Sequence, residues 1–293
     1  MSRMTWYNLK CEIMKGLNVM RCLSLLRVGF VFALLTLLLS LGIAAYASSE
    51  DAVWPESSGT NVQVDGKLVI DASHMDQGYV MCCVAAPTNH GLKIRVTYKG
   101  AQLTYDLDNA GDYEVFPLQL GSGSYEFALF ENVKGSKYSA QGKVVLSAKL
   151  TDENAAFLVP NQYVDYVRTT NAVLKSDEIC SQGDVYNAVL NFMKSEFSYD
   201  FVRQKAIASS GQFVLPEIDE CFDARSGVCQ DLSAIMVCML RVQGIPARLV
   251  IGYADKYYHA WTVALVDGKE VFCDPTHEIG CMNAKKYTTE RFY

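Results

Sequence analysis

Three residues stand in an order and spacing that suit acyl transfer: Cys229, His259 and Asp274. Cys229 lies in Ser226-Gly227-Val228-Cys229-Gln230-Asp231, directly before Leu232, Ile235, Met236, Met239 and Leu240. Those apolar residues recur on one face of a helix, so the thiol falls at the helix start. Unpaired backbone N–H groups there favour an anion and lower a thiol pKa. A thiol nucleophile needs a base to take its proton and an acid to protonate the leaving group, and histidine titrates in the right range. His259, in His259-Ala260-Trp261, opens an expected strand. Asp274 follows Val271-Phe272-Cys273, and a carboxylate beside an imidazole fixes its tautomer and stabilises its cation. Taken singly, each residue has a plainer role: a small buried cysteine, a strand-edge histidine, a turn aspartate before Pro275. His277 is a rival base near the same sheet edge, offset from it.

The elements that must position these groups are legible around them. Gln243-Gly244-Ile245-Pro246 ends the cysteine helix. Strands are then expected at 248–253, 259–266 and 270–273, the last two joined by the hairpin signal Asp267-Gly268-Lys269. Pairing around that turn brings Asp274 back beside His259. Upstream, Val185, Val189, Phe192 and Met193 predict a helix that starts near Ser181 or Asp184. A loop is expected from about 206 to 225. Residues 67–150 read instead as short strands with period-two alternation, as in Leu92, Ile94, Val96 and Tyr98. Lys99-Gly100-Ala101 and Gly121-Ser122-Gly123 are the expected hairpin turns. Strands without a helical stretch predict a small antiparallel sandwich.

The stretch 225–231, with Gly244-Ile245-Pro246-Ala247-Arg248, Gly252-Tyr253, His259-Ala260-Trp261 and Asp274-Pro275-Thr276, resembles the bacterial transglutaminase-like superfamily. The motifs cover roughly 225–276, and a looser match extends back to about residue 155. The resemblance implies an α+β protein: a papain-like, transglutaminase-type catalytic domain at 151–293, preceded by the β-sandwich at 67–150. It implies Cys229 as nucleophile, His259 as base and Asp274 as orienter. Oxyanion stabilisation falls to the backbone N–H of Cys229, with Tyr199, which resembles a recurrent Tyr-Asp of such proteins, or Gln212 as second donor. Gly227 is expected to let substrate approach closely, and Trp261 either covers the site or belongs to the core. Asp231 reads as part of the helix start.

Composition bounds the setting. The formal charge is −6. Residues 1–47 hold five bases and one acid, so the remainder carries −10. Nothing in an acidic body suggests a basic groove, so no nucleic-acid partner is expected. Residues 1–47 combine those bases with an apolar run from Val28 to Ala47, ending in Ala45-Tyr46-Ala47. This reads as an export signal or as a membrane anchor through 28–47. Either places the rest outside the membrane, extracellular or associated with the cell envelope. Residues 48–66, rich in Ser, Gly, Asp and Asn, read as a linker. Eight of the ten cysteines follow residue 47, and Cys273–Cys281 or Cys180–Cys221 are candidate bridges. No Cys-x-x-Cys pair occurs and the four histidines are scattered, so no metal site or cofactor is expected.

The expected activity is hydrolysis of an amide or peptide bond in a peptide or cell-envelope protein, because water is the default acyl acceptor. Transfer to an amine, as in a crosslinking transamidase, shares the first step. A non-catalytic envelope scaffold is a third class, and an intact Cys/His/Asp set argues against it.

Overall fold

Alternation decides the first half of the chain. Leu92, Ile94, Val96 and Tyr98 are all buried, with half-buried partners between them. The computed structural model describes residue 49 and residues 52–180 and 184–293. The expected leader at 1–47 and the Ser181 helix start lie outside the described residues. Strands β1 (Val62–Asp65), β2 (Leu68–Asp71), β3 (Tyr79–Val84), β4 (Leu92–Tyr98), β5 (Ala101–Leu107), β6 (Glu114–Pro117), β7 (Gly123–Lys134) and β8 (Lys137–Ala148) follow in order. They form two antiparallel sheets, β1-β2-β3-β6 and β5-β4-β7-β8. The expected linker therefore contributes a strand, β1, which pairs with β2. Lys99-Gly100 is a hairpin turn with both residues at positive φ, 47° and 87°. Gly121-Ser122-Gly123 is not a hairpin: it joins β6 of one sheet to β7 of the other.

The second half mixes helices with a separate sheet. Helices α1 (Asn171–Cys180), α2 (Val185–Glu196), α3 (Phe201–Ser210), α4 (Ile218–Ala224) and α5 (Cys229–Arg241) precede β11 (Ala247–Ala254), β12 (Tyr257–Val266) and β13 (Lys269–Cys273). The short α6 (Pro275–Glu278) and β14 (Tyr287–Phe292) follow. Two-residue strands β9 (Ser198–Tyr199) and β10 (Ser226–Gly227) pair in parallel. The expected loop at 206–225 is thus mostly the end of α3 and all of α4. Helix α2 starts at Asp184, whose carboxylate accepts the Asn187 N–H at 3.2 Å.

Helix α5 is the centre of this half. Every residue from Asp231 to Arg241 is buried, and α5 packs on β11 and β12 and on α1, α2 and α4. The sheet runs β13-β12-β11-β14, all antiparallel, so the protein is α+β. Arg241, at the end of α5, is fully buried. Its guanidinium donates to the carbonyls of Ala247 at 2.9 Å, Val159 at 2.6 Å and Tyr293 at 3.0 Å. Burial lowers its pKa to about 10. The described residues belong to one compact unit, and one continuous apolar cluster runs from Leu68 of the sandwich to Tyr293. Among them, no helix is long and apolar enough to cross a membrane.

All eight cysteines among the described residues are free. Cys273 is buried against Tyr186 while Cys281 is exposed, so the expected bridge between them is absent. Cys180 and Cys221, both buried, are likewise unbridged.

Candidate active site

The start of α5 is held by its own third residue. The buried Asp231 carboxylate accepts the N–H of Val228 at 3.0 Å and of Glu217 at 3.2 Å. Arg203 donates to it from α3, Nε at 2.9 Å. Asp231 thus fixes the turn that carries Cys229, the helix-start role read from sequence. Gly227 serves the same packing. A Cβ there would lie 2.8 Å from Cβ of Asp231 and 3.4 Å from that of Cys221. Its expected role in substrate approach is replaced by this contact, since Gly227 is buried and does not line the cleft.

Strand register brings the other groups to Cys229. The last pair of the β12–β13 ladder is Thr262 with Cys273. Asp274 then lies level with Trp261, one diagonal step from His259, within side-chain reach. The His259 Nε2 and Asp274 Oδ2 are 2.9 Å apart. Because a carboxylate only accepts, Nε2 donates. The same Oδ2 accepts the Tyr287 hydroxyl at 2.7 Å, and Oδ1 accepts the N–H groups of Thr276 at 3.0 Å and His277 at 3.3 Å. Asp274 therefore does both things its position suggested: it caps α6 and it grips the imidazole.

With Nε2 occupied, Nδ1 is the ring nitrogen left for the thiol, and Cys229 is hydrogen-bonded to His259. Burial pulls the His259 pKa down, but bonds to Asp274 and Cys229, with their negative charge, outweigh it and lift it to about 9. For Asp274, burial works upward, yet His259, Tyr287 and the backbone bond hold the carboxyl below its usual range.

Tyr199 reaches the site through the small β9–β10 ladder, where it sits opposite Gly227. Its hydroxyl is hydrogen-bonded to the backbone of Cys229; burial first, and then the charge of Cys229, raise its pKa. Gln212 is not brought there. It is exposed beyond the end of α3, its N–H bonded to Ser210 Oγ at 3.1 Å. Trp261 is buried beside the imidazole, ring centroids 6.5 Å apart at 24°, and packs on Phe272 and Tyr287. It is core, not cover, and does not line the cleft. His277 is exposed, and only its backbone N–H meets Asp274.

A cleft of about 410 Å³ opens on Cys229 and His259, walled by Tyr199, Phe201, Tyr257, Tyr258, Thr276 and Cys281 among others. Two larger cavities, of about 580 and 600 Å³, contain neither residue. The chemistry therefore selects the smaller one. Tyr287 and Thr276 were not singled out from sequence. Tyr287 arrives on β14, paired with β11 through the register Tyr287–Ala254. Across that pairing a Cβ on Gly252 would lie 2.1 Å from the Thr288 carbonyl, so the glycine of Gly252-Tyr253 permits the approach. No metal-binding cluster of His, Cys, Asp and Glu exists among the described residues.

Residues 171–275 match the transglutaminase-like superfamily. Over that span the chain is similar to transglutaminase-like proteins. The span holds α1–α5, β11–β13 and all three of Cys229, His259 and Asp274. No curated protein matches the chain. Among solved structures, a candidate cysteine protease from Cytophaga hutchinsonii is 15% identical, over 79% of this chain and 70% of that one, with TM-score 0.36. The periplasmic domain of TgpA from Pseudomonas aeruginosa, bound to ethylmercury, is 17% identical over 78% of each chain, with TM-score 0.33. A structure described as a TGase is 16% identical over 55% of this chain and 46% of that one, with TM-score 0.32.

Proposed function

We propose that this chain is a cysteine-dependent acyl-transfer enzyme that hydrolyses amide or peptide bonds. The observation that carries the reading is the single imidazole shared between the Cys229 thiol and the Asp274 carboxylate at the cleft. The Cys229 thiolate attacks the carbonyl carbon, and His259, as imidazolium, gives its proton to the departing nitrogen. A water then enters, His259 takes its proton, and the acyl group leaves as a carboxylic acid. Asp274 holds Nε2–H throughout and so keeps Nδ1 directed to the thiol. The Cys229 N–H, with the Tyr199 hydroxyl beside it, is the oxyanion donor.

The proposed substrate is a peptide or an envelope protein, met outside the membrane after export through residues 1–47. The half-buried Tyr199 and the exposed Phe201, Tyr257 and Tyr258 wall the cleft with aromatic surface, which suits an extended peptide. A peptide-library digestion tests the reading, run with and without a primary amine and repeated with Cys229→Ala and His259→Ala. Cleavage lost in both variants is expected. Products that carry the amine in place of water would move the reading to transamidation. Cleavage that survives Cys229→Ala would overturn it.

A further inference from the structure

Six of the eight described cysteines, at 82, 83, 180, 221, 238 and 273, are buried. Burial pushes each of those thiols up in pKa and so withholds the thiolate that exchange chemistry requires. The two with solvent contact are Cys229, half-buried, and Cys281, exposed, and both line the same cleft. The backbone explains why. After α6, Gly280 turns the chain at φ 81°, its N–H bonding the His277 carbonyl at 2.9 Å. The N–H of Cys281 then returns to the Thr276 carbonyl at 3.1 Å. This folds Cys281 back over Thr276, two residues from Asp274. Thr276 is itself buried, with its hydroxyl unpartnered on the cleft wall. Tyr199 senses both thiols: burial raises its pKa most, and negative charge on Cys229 and on Cys281 adds to it.

We propose that Cys281 is a second functional thiol of this cleft, a resolving cysteine that closes a disulfide with Cys229 in the presence of a low-molecular-weight disulfide. The inference rests on the reading of Cys229 as an activated thiol. The Cys229 thiolate attacks one sulfur of R–S–S–R, forming Cys229–S–S–R and releasing RS⁻. The Cys281 thiolate then attacks the Cys229 sulfur, and the second RS⁻ leaves. The two protein thiols are oxidised, the external disulfide is reduced, and their two protons end on two RSH. A disulfide requires Cα atoms within about 7 Å. The segment that carries Cys281, residues 281–286, belongs to no helix or strand, and a Cβ added at Gly280 would meet nothing within 4 Å. The reacted enzyme is locked against acyl transfer and protected from further oxidation, and a thiol releases it.

The test treats the full-length protein with oxidised glutathione, quenches with acid, and maps peptides without reduction. A Cys229–Cys281 cross-linked peptide and an intact mass lower by about 2 Da are expected. Iodoacetamide labelling of Cys229 should then fall at least about tenfold and return with dithiothreitol. Cys281→Ser and Cys281→Ala should instead hold glutathione on Cys229 as a stable adduct. Glutathione adducts on both cysteines without a cross-link, or a cross-link from Cys229 to any other cysteine, would overturn the proposal. The function reading fails separately, if labelling of Cys229 in the reduced protein is unchanged by His259→Ala.

Discussion

Asp274→Asn keeps the shape of the side chain and removes what the site uses. In the wild type one carboxylate oxygen accepts the N–H groups of Thr276 and His277, and the other accepts from His259 and Tyr287. An amide accepts on one side only. With its oxygen kept on the two backbone donors, its NH₂ faces His259, and the imidazole must present a bare Nε2. The ring proton then moves to Nδ1, the nitrogen needed as base toward Cys229. The charge is lost as well. The rise of His259 from 6.5 to about 9 corresponds to ~3 kcal/mol in favour of the imidazolium. A neighbouring opposite charge typically moves a pKa by at least about one unit, so loss of the carboxylate's charge is expected to shrink the thiolate–imidazolium population about tenfold near neutral pH. The assay needs no substrate: the second-order rate of Cys229 alkylation by iodoacetamide is measured across pH. Asp274→Asn is expected to react about tenfold more slowly at neutral pH and to approach the wild type in alkali. Rates matching the wild type within about twofold at every pH would refute the claim that Asp274 supports the pair.

Further outcomes can be stated in advance. Tyr199→Phe should lower amide hydrolysis by about 10²-fold, the usual scale for one lost oxyanion donor, while Cys229 alkylation stays near wild type; equal losses in both assays would place Tyr199 elsewhere in the chemistry. Asp231→Ala leaves Arg203 with only Glu217 as a carboxylate partner and strands two backbone N–H groups around the start of α5 and should cost ~3–5 kcal/mol by denaturant unfolding, with Asp231→Asn costing less. Because His259 is raised in the folded state, its contribution to stability is complete below about 6.5 and is lost as pH rises through about 9. Thermal midpoints should therefore fall across that window in the wild type and stay flatter in His259→Gln.

The parts of the site's geometry that are legible in the sequence are those set by local rules. Helix α5 follows from apolar residues at helical spacing, and the β12–β13 hairpin from Asp267-Gly268, whose φ values of 50° and 72° suit a tight turn. Given that hairpin, the approach of Asp274 to His259 needed only a register. Other parts depend on pairings that leave little local mark. Strand β14 reads Tyr-Thr-Thr-Glu-Arg-Phe with no fully buried side chain, so nothing in its pattern announces that Tyr287 meets Asp274. The β9–β10 ladder is two residues long, below any periodicity. Helix α4 spans seven residues, too few for an apolar stripe, so its sequence reads as loop. Trp261 could be read either as cover or as core, because alternation puts it on the face of His259 whichever way that face points; packing against Phe272 and Tyr287 decides it. Gln212, the other candidate oxyanion donor, lies beyond the C-terminal end of α3, exposed and away from the thiol.

The buried guanidinium of Arg241 sets a limit on how this protein can be divided. Of the three carbonyls that hold it, only that of Ala247 lies within residues 171–275, the span matched by the superfamily. A protein cut to that span would keep the cation and lose two of its three acceptors, those of Val159 and Tyr293. A buried charge left short of partners costs several kcal/mol, comparable to the whole stability of a small domain. The same cut strips β14 from β11 and leaves an open strand edge that invites aggregation. The span that resembles the superfamily is therefore smaller than what can fold alone.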